Sequence, residues 1–161
     1  MGAFIEIGNK FYEIQYNFAS FSCSDLDDEG LSTVSDYIEI ENLNLQETEI
    51  TNNGIKYLKK LKYLNILRLK GNPQLTNECI PYLTDLENLQ ELQIHETSID
   101  QDGLEKLVVL EHLENIVLEV WENNFTYEGL LKFSIAMPNC TILAKGDGEF
   151  HNGKFNGKWG H

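Results

Sequence analysis

Several signatures that would assign this 161-residue chain to a class are absent from it. No apolar run approaches the roughly 18 residues that cross a bilayer, so no membrane span is expected. The stretch from Phe4 to Ile7 is too short for the apolar centre of a secretory signal. Glu6 stands where a myristoylation signal requires Ser or Thr. These readings predict a cytoplasmic protein. Cysteine is scarce and odd in number, three in all, which argues against a disulfide framework. The sequence has no H-x-x-x-H pair and no C-x-x-C, and His95, His112, His151 and His161 fall on separate segments. Gly146 and Gly148 open no helix, so they do not read as a phosphate loop. No metal, no cofactor and no catalytic group is expected from this pattern.

Basic side chains are the other shortage. Twelve Lys and Arg stand against 26 Asp and Glu, a net charge of −14. Such a surface repels phosphate backbones, so nucleic acid is not an expected partner. The shortage is uneven: residues 1–55 carry eleven acidic side chains and one basic one, Lys10. Lys56, Lys59, Lys60, Lys62, Arg68 and Lys70 then supply half of all basic side chains. The four lysines up to Lys62 read either as a solvated helix face or as a local site for an acidic partner.

What the chain does have is a period. Phe21, Leu45, Leu69, Ile94, Leu118 and Ile142 recur at spacings of 24 or 25 residues. Two residues earlier stand Ala19, Leu43, Leu67, Leu92, Ile116 and Cys140. Alternation at period two makes each pair a short strand with one buried face. Next comes a column of helix N-cap residues, Asp27, Thr51, Thr76, Asp100 and Thr126. Three residues on stand Gly30, Gly54, Cys79, Gly103 and Gly129, followed by apolar runs at spacing three such as Ile55, Leu58, Leu61 and Leu64. A repeat of this length predicts stacked strand–helix coils. Cys79 and Cys140 occupy packing columns and read as buried thiols, whereas Cys23 falls near a strand rim.

The segments GIKYLKKLKYLNILRLKGNPQLTNEC and GLEKLVVLEHLENIVLEVWENNFTYEG carry a resemblance. Over residues 17–143 the chain resembles the leucine-rich repeat family, in the GALA-type and cysteine-containing subtypes. The resemblance implies an α/β solenoid shaped as a horseshoe segment, with a parallel β-sheet on the concave face and helices on the convex face. It also implies binding of macromolecular partners. No F-box-like helical segment accompanies it, so the ubiquitin-ligase role of some GALA proteins does not carry over.

The ends read as β-hairpin caps. Gly8-Asn9 between two apolar runs is a two-residue turn signal, and Asn152-Gly153 and Asn156-Gly157 are two more. The expected organisation is therefore a single domain over 1–161: an N-terminal hairpin cap (1–16), about five repeats (17–143) and a C-terminal β cap (144–161).

The family geometry the resemblance implies gives the side chains that leave the concave face. Asn44, Gln46, Arg68, Lys70, Gln93, His95, Val117 and Glu119 are the expected partner-binding residues. Trp121 joins them because it breaks the column of Thr48, Asn72 and Thr97 in a loop two residues longer than its counterparts. That loop is either a functional insertion or a packing solution for its coil. Three functions follow. The first is a non-catalytic scaffold that recognises a protein through the concave sheet. The second is an acidic intracellular inhibitor, of the kind of a bacterial immunity protein, that neutralises a basic toxin or enzyme. The third is an enzyme or sugar-binding module using Phe150, Phe155 and Trp159 as stacking rings.

Overall fold

The computed structural model describes residues 3–161. Ten strands form one sheet in chain order: β1 (Ala3–Ile7), β2 (Lys10–Gln15), β3 (Phe18–Ser20), β4 (Asn42–Asn44), β5 (Ile66–Arg68), β6 (Glu91–Gln93), β7 (Asn115–Leu118), β8 (Thr141–Ala144), β9 (Gly148–His151) and β10 (Lys154–Gly157). The steps from β3 to β8 are parallel, and those at either end are antiparallel.

Register confirms the repeat. Ala19, Leu43, Leu67, Leu92 and Ile116 pair in succession and are all buried. Strands of three residues cannot hold a sheet alone. They are fixed by a hydrogen-bond pattern that recurs in each coil. The Glu41 carbonyl accepts from the N–H groups of Asn65 and Ile66, that of Asn65 from Gln90 and Glu91, and that of Gln90 from Glu114 and Asn115. Past the strands, the Leu45 N–H donates to the Arg68 carbonyl and the Leu69 N–H to the Gln93 carbonyl, each at 2.9 Å. The backbone of each coil is thus satisfied by the next one.

The last coil departs from the expected column. Ile116 pairs with Ile142 and Leu118 with Ala144, not with Cys140 and Ile142. The longer Trp121 loop advances the chain by two residues before the strand resumes. Cys140 lies just before β8, where its N–H donates to the Met137 carbonyl as Leu113 does to Leu110. It is buried, as expected, and burial pushes its thiol up to about 12.

The opposite side carries short helices: α1 (Asp28–Val34), α2 (Ile80–Leu83), α3 (Gln101–Lys106) and α4 (Tyr127–Ala136), with 3₁₀ segments at Gly54–Lys60, Asn77–Cys79 and Leu107–Val109. Asp27, Thr76, Asp100 and Thr126 cap them through their side chains. Thr51 does not. Its N–H and hydroxyl both donate to the Asp28 carboxylate, at 2.7 and 2.6 Å, and its coil forms only the 3₁₀ segment. The glycine column has a packing cause. A Cβ at Gly54 would stand 2.1 Å from Asp28 Oδ1, one at Gly103 2.2 Å from Asn77 Oδ1, and one at Gly129 2.3 Å from Gln101 Oε1. The first-turn side chain of the preceding coil fills that space each time.

Both hairpins form. Gly8-Asn9 turns β1 into β2, with Gly8 at φ +61°. Asn152-Gly153, both at positive φ, turns β9 into β10. Asn156-Gly157 is not a turn; it lies within β10. Among the described residues, no helix is long and apolar enough to cross a membrane.

Candidate functional site

The face of the sheet opposite the leucines carries the expected side chains. Asn44, Arg68, Gln93 and Val117 are successive register partners, so they form one row, and all are half-buried. The row beside it holds Asn42, Ile66, Glu91 and Asn115. The two rows are tied together. Arg68 Nη1 donates to Asn42 Oδ1 at 2.6 Å, and Nη2 lies 3.9 Å from Glu91 Oε1. Gln93 Nε2 donates to the same Glu91 oxygen at 2.8 Å. Arg68 is therefore held in one orientation before any partner arrives, which reduces the ordering cost of binding.

Gln46, Lys70, His95 and Glu119 stand two residues further on. Gln46 Nε2 donates to Glu47 Oε1 at 3.1 Å. Lys70 and Lys145 both lie 3.8 Å from Glu96 Oε1. His95 differs from the rest of the predicted set because the structure buries it, leaving 7% of its surface accessible. Among the described residues, its Nδ1 has no hydrogen-bond partner. Burial pushes its pKa down, Lys145 and Lys70 push it the same way, and Glu96 and Glu119 oppose them. The ring is a neutral wall of the site rather than an exposed contact.

Trp121 is 43% exposed and lines an open groove of about 520 Å³ together with Glu47, Pro73, Glu96 and Glu119. Its position is explained by the column it breaks. Asn72 is fully buried; its Nδ2 donates to the Leu45 and Leu69 carbonyls at 2.8 Å each, and its Oδ1 accepts from the Thr48 N–H at 3.0 Å. An indole cannot replace this amide. Asn124 does so instead: its Oδ1 accepts from the Trp121 and Phe125 N–H groups at 2.9 Å each, and its Nδ2 donates to the Glu119 carbonyl at 3.1 Å. The insertion thus passes the amide's role to the half-buried Asn124 and turns Trp121 outward. The signal available in the sequence was Asn124 immediately before the inward Phe125.

The Cys23 Sγ donates to Glu47 Oε2 at 3.4 Å, which raises the thiol pKa, and burial pushes Cys79 up to about 12. Among the described residues, no group of three His, Cys, Asp or Glu side chains is placed to hold a metal. The stacking rings of the third reading are used against one another. Phe150 is fully buried, with ring centroids 5.3 Å from Tyr127, 4.6 Å from Phe155 and 5.8 Å from Trp159.

One surface feature was not expected from the repeat. Phe4, Phe11 and Phe18 are 62%, 68% and 38% exposed, and all three leave the same face of the sheet as the Arg68 rows.

No family model matches the chain, and no curated protein does. Among solved structures, the chain is similar to an internalin C2 from Listeria monocytogenes str. 4b F2365, with a TM-score of 0.58 and 26% sequence identity over 76% of this chain. The match spans 48% of that protein, about half its length. At this level the likeness supports a leucine-rich-repeat fold, one commonly used for protein interaction.

Proposed function

We propose that this chain is a non-catalytic, cytoplasmic protein-binding scaffold that recognises its partner through the open face of the sheet. GALA-like coils would curve that face into the concave side of a horseshoe, with the helices on the convex side. The observation that carries this reading is the row Asn44, Arg68, Gln93 and Val117, continuous across four strands, with Arg68 already held by Asn42 and Glu91. A fixed guanidinium beside amides and an aliphatic side chain is the mixture that protein interfaces favour at their centres. Lys70, Gln46, Glu119 and Trp121 extend the contact along the strand ends. The test is affinity capture with the wild-type chain and with the Arg68→Glu/Gln93→Ala variant, quantified for each captured protein. A partner retained by the first and lost by the second supports the reading. Partners indifferent to both substitutions overturn it.

The net charge of −14 favours a narrower form of the same reading, an immunity-type inhibitor of a basic toxin or enzyme. An adjacent gene that encodes nothing toxin-like would remove its main support.

A further inference from the structure

We propose that the outer face of the β1–β2 hairpin, anchored by Phe4 and Phe11 and continued by Phe18, is the docking surface for a protein whose contact face is apolar and ringed by Lys or Arg. This rests on the protein-binding reading above and names both the anchor and the partner chemistry.

The first argument is that the hairpin does not need these rings to cap the stack. Its other face already does that work. Ile5 and Ile14 are buried, and the Tyr12 ring packs on Phe21 at 4.8 Å. Phe4 lies across from Glu13, Phe11 across from Glu6, and Phe18 across from Gln15. The three rings therefore alternate with the inward residues and surround Glu13 on the outer face. Single exposed apolar residues are ordinary on protein surfaces, but three exposed rings on one face, interleaved with Glu6, Glu13 and Gln15, point to an interaction site.

The second argument is continuity. Phe18 pairs with Asn42, the residue that holds Arg68. The aromatic patch and the Arg68 rows are thus one uninterrupted face, and a single partner can cover both.

The third argument is charge. The patch is punctuated by Glu6 and Glu13 and belongs to residues 1–55, where eleven acidic side chains face one lysine. That lysine, Lys10, is engaged by Asp25 at 2.6 Å. A second copy of this chain would bring Glu6 and Glu13 against their own equivalents, a repulsion that rises as water is excluded. A basic partner removes that cost, and its apolar centre would be received by the rings.

The experiment is a selection of a random 12-residue peptide library on the full wild-type chain, followed by fluorescence anisotropy on the enriched peptides. The enriched sequences should combine at least two Lys or Arg with aromatic or aliphatic residues. Their affinity should fall about tenfold or more in the Phe4→Ser/Phe11→Ser variant, and it should weaken with added salt. Peptides that are acidic or carry no charge overturn the proposal, as does a selection that enriches nothing. Binding that survives in the phenylalanine variant but is lost in Arg68→Glu/Gln93→Ala also overturns it, while leaving the scaffold reading intact. Binding indifferent to both variants sinks both. Sedimentation of the two proteins supplies the remaining arm: a wild-type dimer that the Phe4→Ser/Phe11→Ser variant dissolves would make the occupant a second copy and overturn the basic partner.

Discussion

The two ends of this sheet solve the same problem with similar residues and opposite outcomes. Each ends in an antiparallel hairpin with a two-residue turn, and each hairpin is rich in aromatics. At the C-terminal end Tyr127, Phe150, Phe155 and Trp159 pack edge to face and tilted, with Phe150 completely buried. At the N-terminal end aliphatic Ile5 and Ile14 seal the coil, and Phe4 and Phe11 face outward. The C-terminal hairpin shows what rings do when a cap needs them. The outward rings of the N-terminal hairpin therefore call for a different explanation, and a partner supplies it.

The largest test of this contrast is Phe150→Ala. Removing a fully buried ring at the centre of an aromatic cluster should cost about 3–5 kcal/mol, read as a lowered urea midpoint. If the loss is under about 1 kcal/mol, the cluster is not what closes that end.

The hairpin glycines extend the comparison to the backbone. At Gly148, φ is +151° and a Cβ would stand 2.3 Å from the Asn156 carbonyl oxygen and 2.7 Å from Gly157 Cα. Backbone atoms cannot move aside cheaply, so Gly148→Ala should cost about 3 kcal/mol or more. At Gly8, φ is +61° but no atom of the described residues lies within 4 Å of a new Cβ. Gly8→Ala then carries only the left-handed backbone penalty of about 1–2 kcal/mol. Equal costs at the two sites would mean the C-terminal hairpin is looser than its contacts indicate. Chemical denaturation of both variants decides.

Acid separates the two halves further. His95 has a depressed pKa in the folded chain, so as pH falls through the ordinary histidine range of about 6.5 the unfolded chain takes up a proton that the folded chain declines. Its contribution to stability therefore falls with pH in that window. The Asp25 pKa is lowered chiefly by its hydrogen bond to Lys10, so the stability that pair contributes is present above the ordinary carboxylate value and is lost only below it. Between about pH 7.5 and 5.5 the N-terminal pair should be silent. Urea titrations at both pH values should show a smaller loss for His95→Gln than for the wild type. An identical loss would show that His95 is not the sensitive group.

The coils were legible in the sequence because their period is enforced by packing. Leu43, Leu67 and Leu92 pair as the spacing required, since each must meet the same residue of the next coil. The failures have local causes. Thr51 looked like the cap of an α-helix; its Oγ1 does accept from the Asn53 N–H, but the segment that follows is 3₁₀, and Thr51 is also tied to Asp28 of the preceding coil, a bond between coils that no single-coil pattern reveals. His95, expected on the open face, is buried. Counting through that loop at a fixed 24 residues placed Cys140 in a strand it only precedes. The Arg68 row was readable from alternation together with the family geometry that the resemblance implies. The aromatic patch was not. In AFIEI and KFYEIQ apolar residues occupy both faces, and a period-two reading cannot say which face is covered when neither is polar throughout.

The smallest expected effect is the one that separates the two hairpins most cleanly. Phe4 and Phe11 lose little contact on truncation, so Phe4→Ser/Phe11→Ser should leave the unfolding free energy within about 0.5 kcal/mol of wild type. The ring count removed is twice that of Phe150→Ala, yet the cost should be several-fold smaller, because stability follows buried area and not the number of rings. The same variant should bind less of a hydrophobic dye such as ANS in the native state, since the patch it deletes is accessible. A stability loss close to that of Phe150→Ala would place these rings in the cap and erase the distinction between the two ends. Unchanged stability with reduced dye binding would mean that the N-terminal rings contribute to what the protein touches and the C-terminal rings to what it is made of.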